Sequence, residues 1–319
     1  MPFDVTLLRR CWFLAGPTAS GKSAIALELA ERIDAEIVAL DSMTLYRRMD
    51  LGTAKPTALE RQRIPHHLFD ILEPWEDYTV ADYLQAAEGA CLDITKRGRT
   101  PLFVGGAGLY LRSLLRGVFN GPAADWELRR QLAAEAVRQP AGWLHAELHK
   151  VDPKSAARLH PADERRLLRA IEVYRVTGQP ASELQAEQPL PPHDRPRHVY
   201  WIDPPRSWLY ERINQRVISM MSAGLLNEVR ELLADPRGLG RTASQALGYK
   251  ELATHLRGEQ SLDASIETIQ RRTRQFAKRQ HTWFRNLEEC RPLHLNLCHT
   301  PADLAIEIET LARTSGAVT

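Results

Sequence analysis

The eight residues GPTASGKS, Gly16 to Ser23, constrain this chain more than any other stretch. Gly, four residues, Gly-Lys and then Ser is the phosphate-loop pattern, and its neighbours give it the setting that pattern needs. Cys11 to Ala15 is a short apolar run that reads as a buried strand, and AIALELAERI after the loop carries apolar residues at helical spacing. Backbone N–H groups at the start of such a helix have no intrahelical partner and attract anions. Gly21 lets the backbone come close, Lys22 adds a point charge, and Ser23 can place its hydroxyl on a Mg2+ that bridges two phosphate oxygens. A chance match on a Gly-rich turn would not come with this strand and this helix. The loop binds a di- or triphosphate, but its residues alone do not say whose.

The rest of the chain extends the pattern. EIVAL reads as a second buried strand ending at Asp41-Ser42, the polar loop YRRMDLGTAKP follows, and HLFDIL is a possible third strand. Thr79 and Asp82 form a capping box that opens a helix with Val80, Tyr83, Leu84, Ala87, Cys91 and Ile94 on one face, and Gly98 stops it. PLFVGG is another apolar strand and leads into the helix GLYLRSLLRG. Strands alternating with helices predict an α/β fold with a parallel sheet wound on both faces. From about Asn120 to Arg195 no strand is evident, and helices are expected at Trp126 to Arg138, Trp143 to Lys150 and Asp163 to Thr177. NGPAAD and PLPPHDRP bracket this stretch with linker compositions. HVYWID then returns to the sheet, followed by helices at Ser207 to Ala223, Leu225 to Ala234, Ser244 to Leu256 and Leu262 to Leu287. The expected organisation is a P-loop NTPase-like parallel core, residues 1–119 and 196–319, with a helical C-terminal part and an inserted all-helical subdomain at 120–195.

A chain of 319 residues that is 44% hydrophobic can bury a large core. Its net charge of only +2 means that any surface for a polyanion must be local. One such surface lies between Thr268 and Leu287, where Arg271, Arg272, Arg274, Lys278, Arg279 and Arg285 occur with no acid, interleaved with Phe276, His281, Trp283 and Phe284. Another is ERRLLRAIEVYR, with Arg165, Arg166, Arg169 and Arg175. Bases stack on aromatic rings and Arg planes while Lys and Arg hold phosphates, so RNA is the expected partner. The competing reading is a solvated basic face whose aromatics, Phe276, Trp283 and Leu287 at helical spacing, belong to the core. Four cysteines without a CxxC pair, and no His cluster to complete a zinc site, suggest a reducing, cytoplasmic setting. The N-terminus runs into a strand too soon for a signal peptide, and no apolar run approaches membrane-spanning length. Asp41 has two readings: holding a metal through water, as in a phosphate-loop ATPase, or accepting a proton in group transfer. His66, His67 and His160 read as structural or solvated.

Seven blocks, GPTASGKS, DSMTLYRRMDLGTAKP, PHHLFD, VGGAGLYLRSLL, LHPADERRLLRAIEVYRVTG, QALGYKE and KRQHTWFR, occur in this order from about Ala15 to Arg285. Together they resemble the bacterial tRNA dimethylallyltransferases, also called tRNA isopentenyltransferases. The resemblance implies that the loop holds the diphosphate of dimethylallyl diphosphate, with Mg2+ as cofactor. It implies transfer of the dimethylallyl group to N6 of the adenosine on the 3′ side of the anticodon, with the tRNA anticodon stem-loop lying between core and insertion. A monomer that needs no membrane is expected. Gly16, Pro17, Thr18, Ala19, Ser20, Gly21, Lys22 and Ser23 would bind diphosphate, with Ser23 on the metal. Asp41 would be the base or an orienting group, acting with Lys22, Thr18 and Arg216. Asp41, Ser42, Met43 and Thr44 would lie against the flipped base, with Ala107 nearby. Arg129, Arg165, Arg166, Leu167, Leu168 and Arg169 would contact tRNA. So would Gln245, Gly248, Tyr249 and Lys250, and likewise Lys278, Arg279, Gln280, His281, Trp283 and Arg285. Ala107 stands where the family usually has Thr, which puts one substrate contact in doubt, and the C-terminal zinc-finger pattern of eukaryotic relatives is absent.

The chemistry so implied is coherent. An adenine amine is a poor nucleophile, so its partner must be a strong electrophile. An allylic carbon qualifies once its diphosphate leaving group is neutralised. A base in a single-stranded loop leaves its stack for only a few kcal/mol. The rivals are a P-loop kinase that phosphorylates a small molecule with ATP and a non-enzymatic RNA-binding ATP switch. Neither requires DSMTLYRRMDLGTAKP or the KRQHTWFR helix.

Overall fold

The structure, a computed structural model, describes residues 3–118, 121–184, 189–296 and 298–316. The chain divides into two compact units, Met1–Leu115 with Leu190–Thr319, and Arg116–Pro189. The edges therefore fall at 116 and 189 rather than at 120 and 195. Gly117 turns left-handed at φ +82 where the first unit's helix ends. The Pro-rich stretch stays with the first unit because Arg195 donates to the Leu190 carbonyl at 2.6 Å and pairs with Glu288 at 2.9 Å. Asn120, the first residue of the expected first linker, lies outside the described residues.

The first unit begins with α1 (Val5–Leu8), β1 (Trp12–Ala15), α2 (Lys22–Arg32), β2 (Ala35–Leu40), α3 (Ala58–Arg63) and β3 (His66–His67). Then come α4 (Val80–Lys96), β4 (Thr100–Gly105) and α5 (Gly108–Arg116). The second unit holds α6 (Trp126–Val137), α7 (Trp143–Val151), α8 (Pro153–Arg158), α9 (Glu164–Thr177) and α10 (Ala181–Leu184). The chain returns with β5 (His198–Asp203), α11 (Arg206–Ser222), α12 (Leu225–Ala234), α13 (Tyr249–Leu256), α14 (Leu262–Arg285), β6 (Arg291–His294) and α15 (Pro301–Gly316).

The six strands form one all-parallel sheet in the order β3-β2-β4-β1-β5-β6. Successive side chains of β1 serve opposite faces, as the two-residue period of a strand requires. Leu14 joins Ile25, Ala26 and Leu29 of α2 and Leu304, Ala305 and Ile308 of α15 in one core. Phe13 stacks on Phe103 of β4 at 4.9 Å, with Phe3 edge-on to Phe103 at 6.5 Å. The α4 helix carries the expected capping box at Thr79 and Asp82. Its Tyr83 hydroxyl donates to the Ala39 carbonyl at 2.8 Å.

Three expectations need correction. HLFDIL is not a strand: only His66 and His67 pair with β2, and Leu72 makes a single bridge to Tyr46. Leu68 and Asp70 adopt left-handed φ values of +62° and +56°, and Asp70 is held there by Lys55 at 2.5 Å and Arg61 at 2.7 Å. The helix expected over 244–256 is split into a 3-10 turn at Ala243–Gln245 and α13, with Gly248 at φ +89 between them. The buried face of α14 is Ala277, Gln280 and Phe284, continued by Leu287, while Phe276 and Trp283 are only partly buried.

The second unit is all-helical. Asp125, Asp152 and Asp163 cap α6, α8 and α9 through their side chains, and Gly178 closes α9 in the left-handed region. Its core gathers Leu132, Leu144, Leu148, Leu167, Ile171 and Val173. Two carboxylates are buried in this unit, Asp152 and Glu172. Glu172, 0% exposed, accepts from Arg129 at 2.8 Å, Arg169 at 2.5 Å and the Asp125 amide at 2.6 Å. Burial pushes its carboxyl up, but the two arginines outweigh burial and hold it below the ordinary value.

Candidate active site

In a parallel α/β sheet, ligands bind beyond the carboxyl ends of the strands. The phosphate loop leaves the end of β1 at Ala15, and the Gly16 amide donates to the Gly105 carbonyl of β4 at 3.2 Å. Ala19 and Gly21 take left-handed φ values of +64° and +89°. The amides of Ala19, Gly21, Lys22 and Ser23 find no protein acceptor among the described residues. The Ser20 hydroxyl is buried, 1% exposed, and also lacks a partner. A buried hydroxyl without a hydrogen bond is costly, and a run of outward amides at a helix start is an anion site.

Cations surround this concavity. Lys22 donates to the Pro17 carbonyl at 3.3 Å. Burial first, and then the positive charge of Arg216, lower its pKa to about 8 against the opposing pull of Asp41. Arg216, on α11, has its own pKa lowered by burial and by Arg212, again opposed by Asp41. Arg212, one turn earlier on α11, donates through Nε to the Ala19 carbonyl at 3.1 Å and lies over the Trp208 ring at 4.6 Å. Arg212 was not singled out from sequence, although the spacing RINQR places it on the same helical face as Arg216.

Asp41 follows the last residue of β2. Its Oδ1 accepts from the amides of Met43 at 2.7 Å and Thr44 at 3.3 Å, which fixes the carboxylate and leaves Oδ2 without a protein donor among the described residues. The Thr44 hydroxyl is buried and has no hydrogen-bond partner among the described residues. The turn VGGAG closes this end of the sheet. The amides of Gly106 and Ala107 both donate to the Leu40 carbonyl at 3.0 Å. A Cβ at Gly105 would stand 2.0 Å from that carbonyl oxygen, so only glycine fits.

The residues assigned to RNA divide by exposure. Arg165, Arg166, Gln245, Lys250, Lys278, Arg279 and Arg285 are exposed, and Ser42, Met43, Ala107, Leu168, His281 and Trp283 are partly so. Thr44, Leu167, Gly248, Tyr249 and Gln280 are buried. Leu167 is core. Gly248 donates its amide to Glu251 at 2.8 Å, and the Tyr249 hydroxyl donates to Glu228 at 2.5 Å. Gln280 bonds to the phosphate loop. Arg129 and Arg169 are engaged by Glu172, and His281 by Asp203 at 2.9 Å. His67 bonds to Glu36 at 2.5 Å and His66 to the Ile64 carbonyl at 2.7 Å, structural roles for both.

Fold and site define a phosphate-loop α/β protein whose anion site stands beside a fixed carboxylate. Residues 44–287 match the family model described as IPP transferase. A tRNA dimethylallyltransferase 1 of Trichlorobacter lovleyi is 47% identical over 277 residues, 87% of this chain and 91% of that protein. A solved tRNA isopentenylpyrophosphate transferase of Bacillus halodurans superposes with a TM-score of 0.69 at 35% identity, covering 97% of this chain and 98% of that one. A eukaryotic dimethylallyltransferase acting on tRNA superposes with a TM-score of 0.74 at 27% identity, covering 97% and 78%. The chain belongs to the IPP transferase family.

Proposed function

We propose that this protein is a tRNA dimethylallyltransferase. It moves the dimethylallyl group of dimethylallyl diphosphate to N6 of the adenosine on the 3′ side of the anticodon and releases diphosphate. The observation that carries the reading is the pairing of a cation-ringed phosphate loop with Asp41, a carboxylate fixed through one oxygen and open at the other. A small-molecule kinase would need the loop but not the family match that runs through residue 287.

The loop amides and the Ser20 hydroxyl bind the diphosphate, and Lys22 and Arg216 take up the charge that develops as the C1–O bond breaks. Asp41 Oδ2 accepts the N6 proton as the new C–N bond forms, so the amine leaves no cation behind. Met43 and Thr44 hold that carboxylate in place through their amides. The Ser23 hydroxyl is exposed at the first turn of α2. No group of three His, Cys, Asp or Glu that could hold a metal exists among the described residues. Such a donor set suits a hard cation that keeps most of its waters, so Ser23 and the diphosphate oxygens would hold Mg2+. When bound, Mg2+ adds positive charge to the leaving group. The exposed cations Lys278, Arg279 and Arg285 on α14, and Arg165 and Arg166 on α9, bind the RNA backbone. The reading calls for one chain and a reducing cytoplasm, which suits four cysteines held as thiols. No described helix is long and apolar enough to cross a membrane.

The test is incubation with Mg2+, labelled dimethylallyl diphosphate and an unmodified tRNA whose anticodon is followed by adenosine, beside a tube with labelled ATP. Label in that adenosine with ATP intact supports the reading. ATP turnover without label in RNA refutes it in favour of the kinase.

A further inference from the structure

We propose that Gln280 is a positioning residue of the phosphate loop and not an RNA contact. The inference deepens the proposed function, because it rests on reading the loop as the diphosphate site. Gln280 lies on α14, the helix whose outer face carries Lys278, Arg279 and Arg285, yet it is 3% exposed. Its Oε1 accepts from the Thr18 amide at 2.9 Å, and its Nε2 donates to the Gly106 carbonyl at 2.9 Å. One side chain thus joins the phosphate loop to the glycine turn that follows β4.

The surroundings are shaped around this amide. A Cβ at Gly106 would stand 2.1 Å from Gln280 Nε2, so the bridge exists only with glycine there. A turn earlier, Ala277 packs with Ala19, Leu209 and Ile213, so α14 touches two consecutive loop residues, one by packing and one by a hydrogen bond. A turn later, Trp283 lies over Gly108, where a Cβ would meet its Cγ at 2.6 Å. The task needs a donor and an acceptor on one neutral side chain. Glu has no donor, Lys and Arg have no acceptor, and Asn is a methylene short. With Thr18 drawn to Gln280, the remaining amides at Ala19, Gly21, Lys22 and Ser23 are held as one concave set, whose preorganisation is what a developing diphosphate charge rewards.

The experiment compares wild type with Gln280→Met, which keeps shape and removes both hydrogen bonds. It measures the Kd of Mg2+-pyrophosphate by calorimetry, the Kd of unmodified tRNA by filter binding, the Tm, and kcat and KM for dimethylallyl diphosphate. The pyrophosphate Kd and the KM are expected to rise about tenfold, the scale of one or two neutral hydrogen bonds. The tRNA Kd is expected to stay within about twofold, since a buried side chain makes no contact with RNA. Gly106→Ala, which must push the amide aside, is expected to reproduce these changes, and the double variant to be no worse than either single. Should Gln280→Met fail to fold, Gly106→Ala carries the same comparison. A raised tRNA Kd with unchanged pyrophosphate affinity would show an RNA contact and overturn the proposal. So would a lowered Tm with both affinities intact, which would mean packing alone. Pyrophosphate binding is read without catalysis. A wild type that binds pyrophosphate but leaves tRNA unmodified therefore refutes the functional reading and still tests this one.

Discussion

Lys22 gives the site a measurable signature in proton uptake. Burial and Arg216 bring its pKa to about 8. At pH 8 about half of the free protein therefore carries a neutral amine, against about a tenth at pH 7 and about nine-tenths at pH 9. Diphosphate beside the amine favours the ammonium form, as any opposite charge within hydrogen-bonding range does. Binding of pyrophosphate should then take up about half a proton through Lys22 at pH 8 and almost one at pH 9. Calorimetry at each pH in two buffers of different ionisation enthalpy reads this number. Subtracting the same measurement on Lys22→Met removes the protonation of pyrophosphate itself. The neighbours must move the result in opposite directions. Arg216→Met removes a cause that lowers the pKa, so uptake at pH 8 should shrink. Asp41→Asn removes the group that raises it, so uptake near pH 7 should grow. The same shift acts on folding: the unfolded chain holds the Lys22 proton up to its ordinary value of 10.5, so this residue's contribution to stability increases as pH rises from about 8. A difference between wild type and Lys22→Met of zero uptake at pH 8 would refute the reasoning. The amine would then lie outside the anion site or keep an ordinary pKa.

Asp41→Asn should lower turnover by about 10²–10⁴-fold with little change in either substrate's Kd, because the amide still accepts from Met43 and Thr44 but cannot take a proton. Unimpaired label transfer by this variant would remove Asp41 from the base role. Replacing Arg279 and Arg285 by Ala should weaken tRNA binding and reduce its log–log salt slope by about 1.4, the value for two single-strand phosphate contacts. An unchanged slope would place the RNA elsewhere. Glu172→Ala strands Arg129 and Arg169 beside an apolar core and should cost about 3–5 kcal/mol in the helical unit. Thermal unfolding with limited proteolysis within 116–189 measures it, and an unchanged Tm would mean the arginines relax to water. The carboxyl of Glu172 titrates below its ordinary value, so the stability this ion-paired group contributes is present above that ordinary value and is lost as pH falls through the lowered one.

What was legible in the sequence follows from where the physics is local. GPTASGKS, the apolar run Cys11 to Ala15 and the Thr79–Asp82 box each specify their own conformation, and the structure shows a strand at Trp12–Ala15, a helix from Lys22 and the capping box as read. RPLH was not read as a strand because β6 is an edge with one buried residue, Leu293, and its identity comes from β5 beside it. HLFDIL carried an apolar pattern, yet Lys55 and Arg61 pull Asp70 into a left-handed bend, a contact that no window of six residues contains. α15 was legible and overlooked, since Leu304, Ala305, Ile308 and Ala312 recur at helical spacing behind a Thr300–Asp303 box. Gln280 is the opposite case. Lys278, Arg279, Thr282 and Arg285 around it in KRQHTWFR face solvent, and nothing in the string tells that a polar residue of this basic helix turns inward to meet Thr18, 262 positions away.

The charge balance at the sheet's carboxyl edge bears on why the loop suits a leaving group. Lys22, Arg212 and Arg216 bring three positive charges to a site where Asp41 is the carboxylate acting on Lys22 and Arg216. Burial lowers the pKa of Lys22 and of Arg216, so each is held charged at a cost that a bound anion would relieve. That relief grows as negative charge on the bridging oxygen increases, which happens when a C–O bond to carbon breaks and diphosphate departs as a unit. In transfer of a terminal phosphoryl group the bridging oxygen of the departing nucleotide gains charge as well, so cations on the loop serve that chemistry too. The cation set anchored to the loop and to α11 therefore suits departure of diphosphate in either chemistry, and what the site adds is the carboxylate of Asp41, whose charge acts on Lys22 and Arg216. The oxygen of Asp41 that meets no protein donor among the described residues is then the group on which the choice between the two chemistries turns.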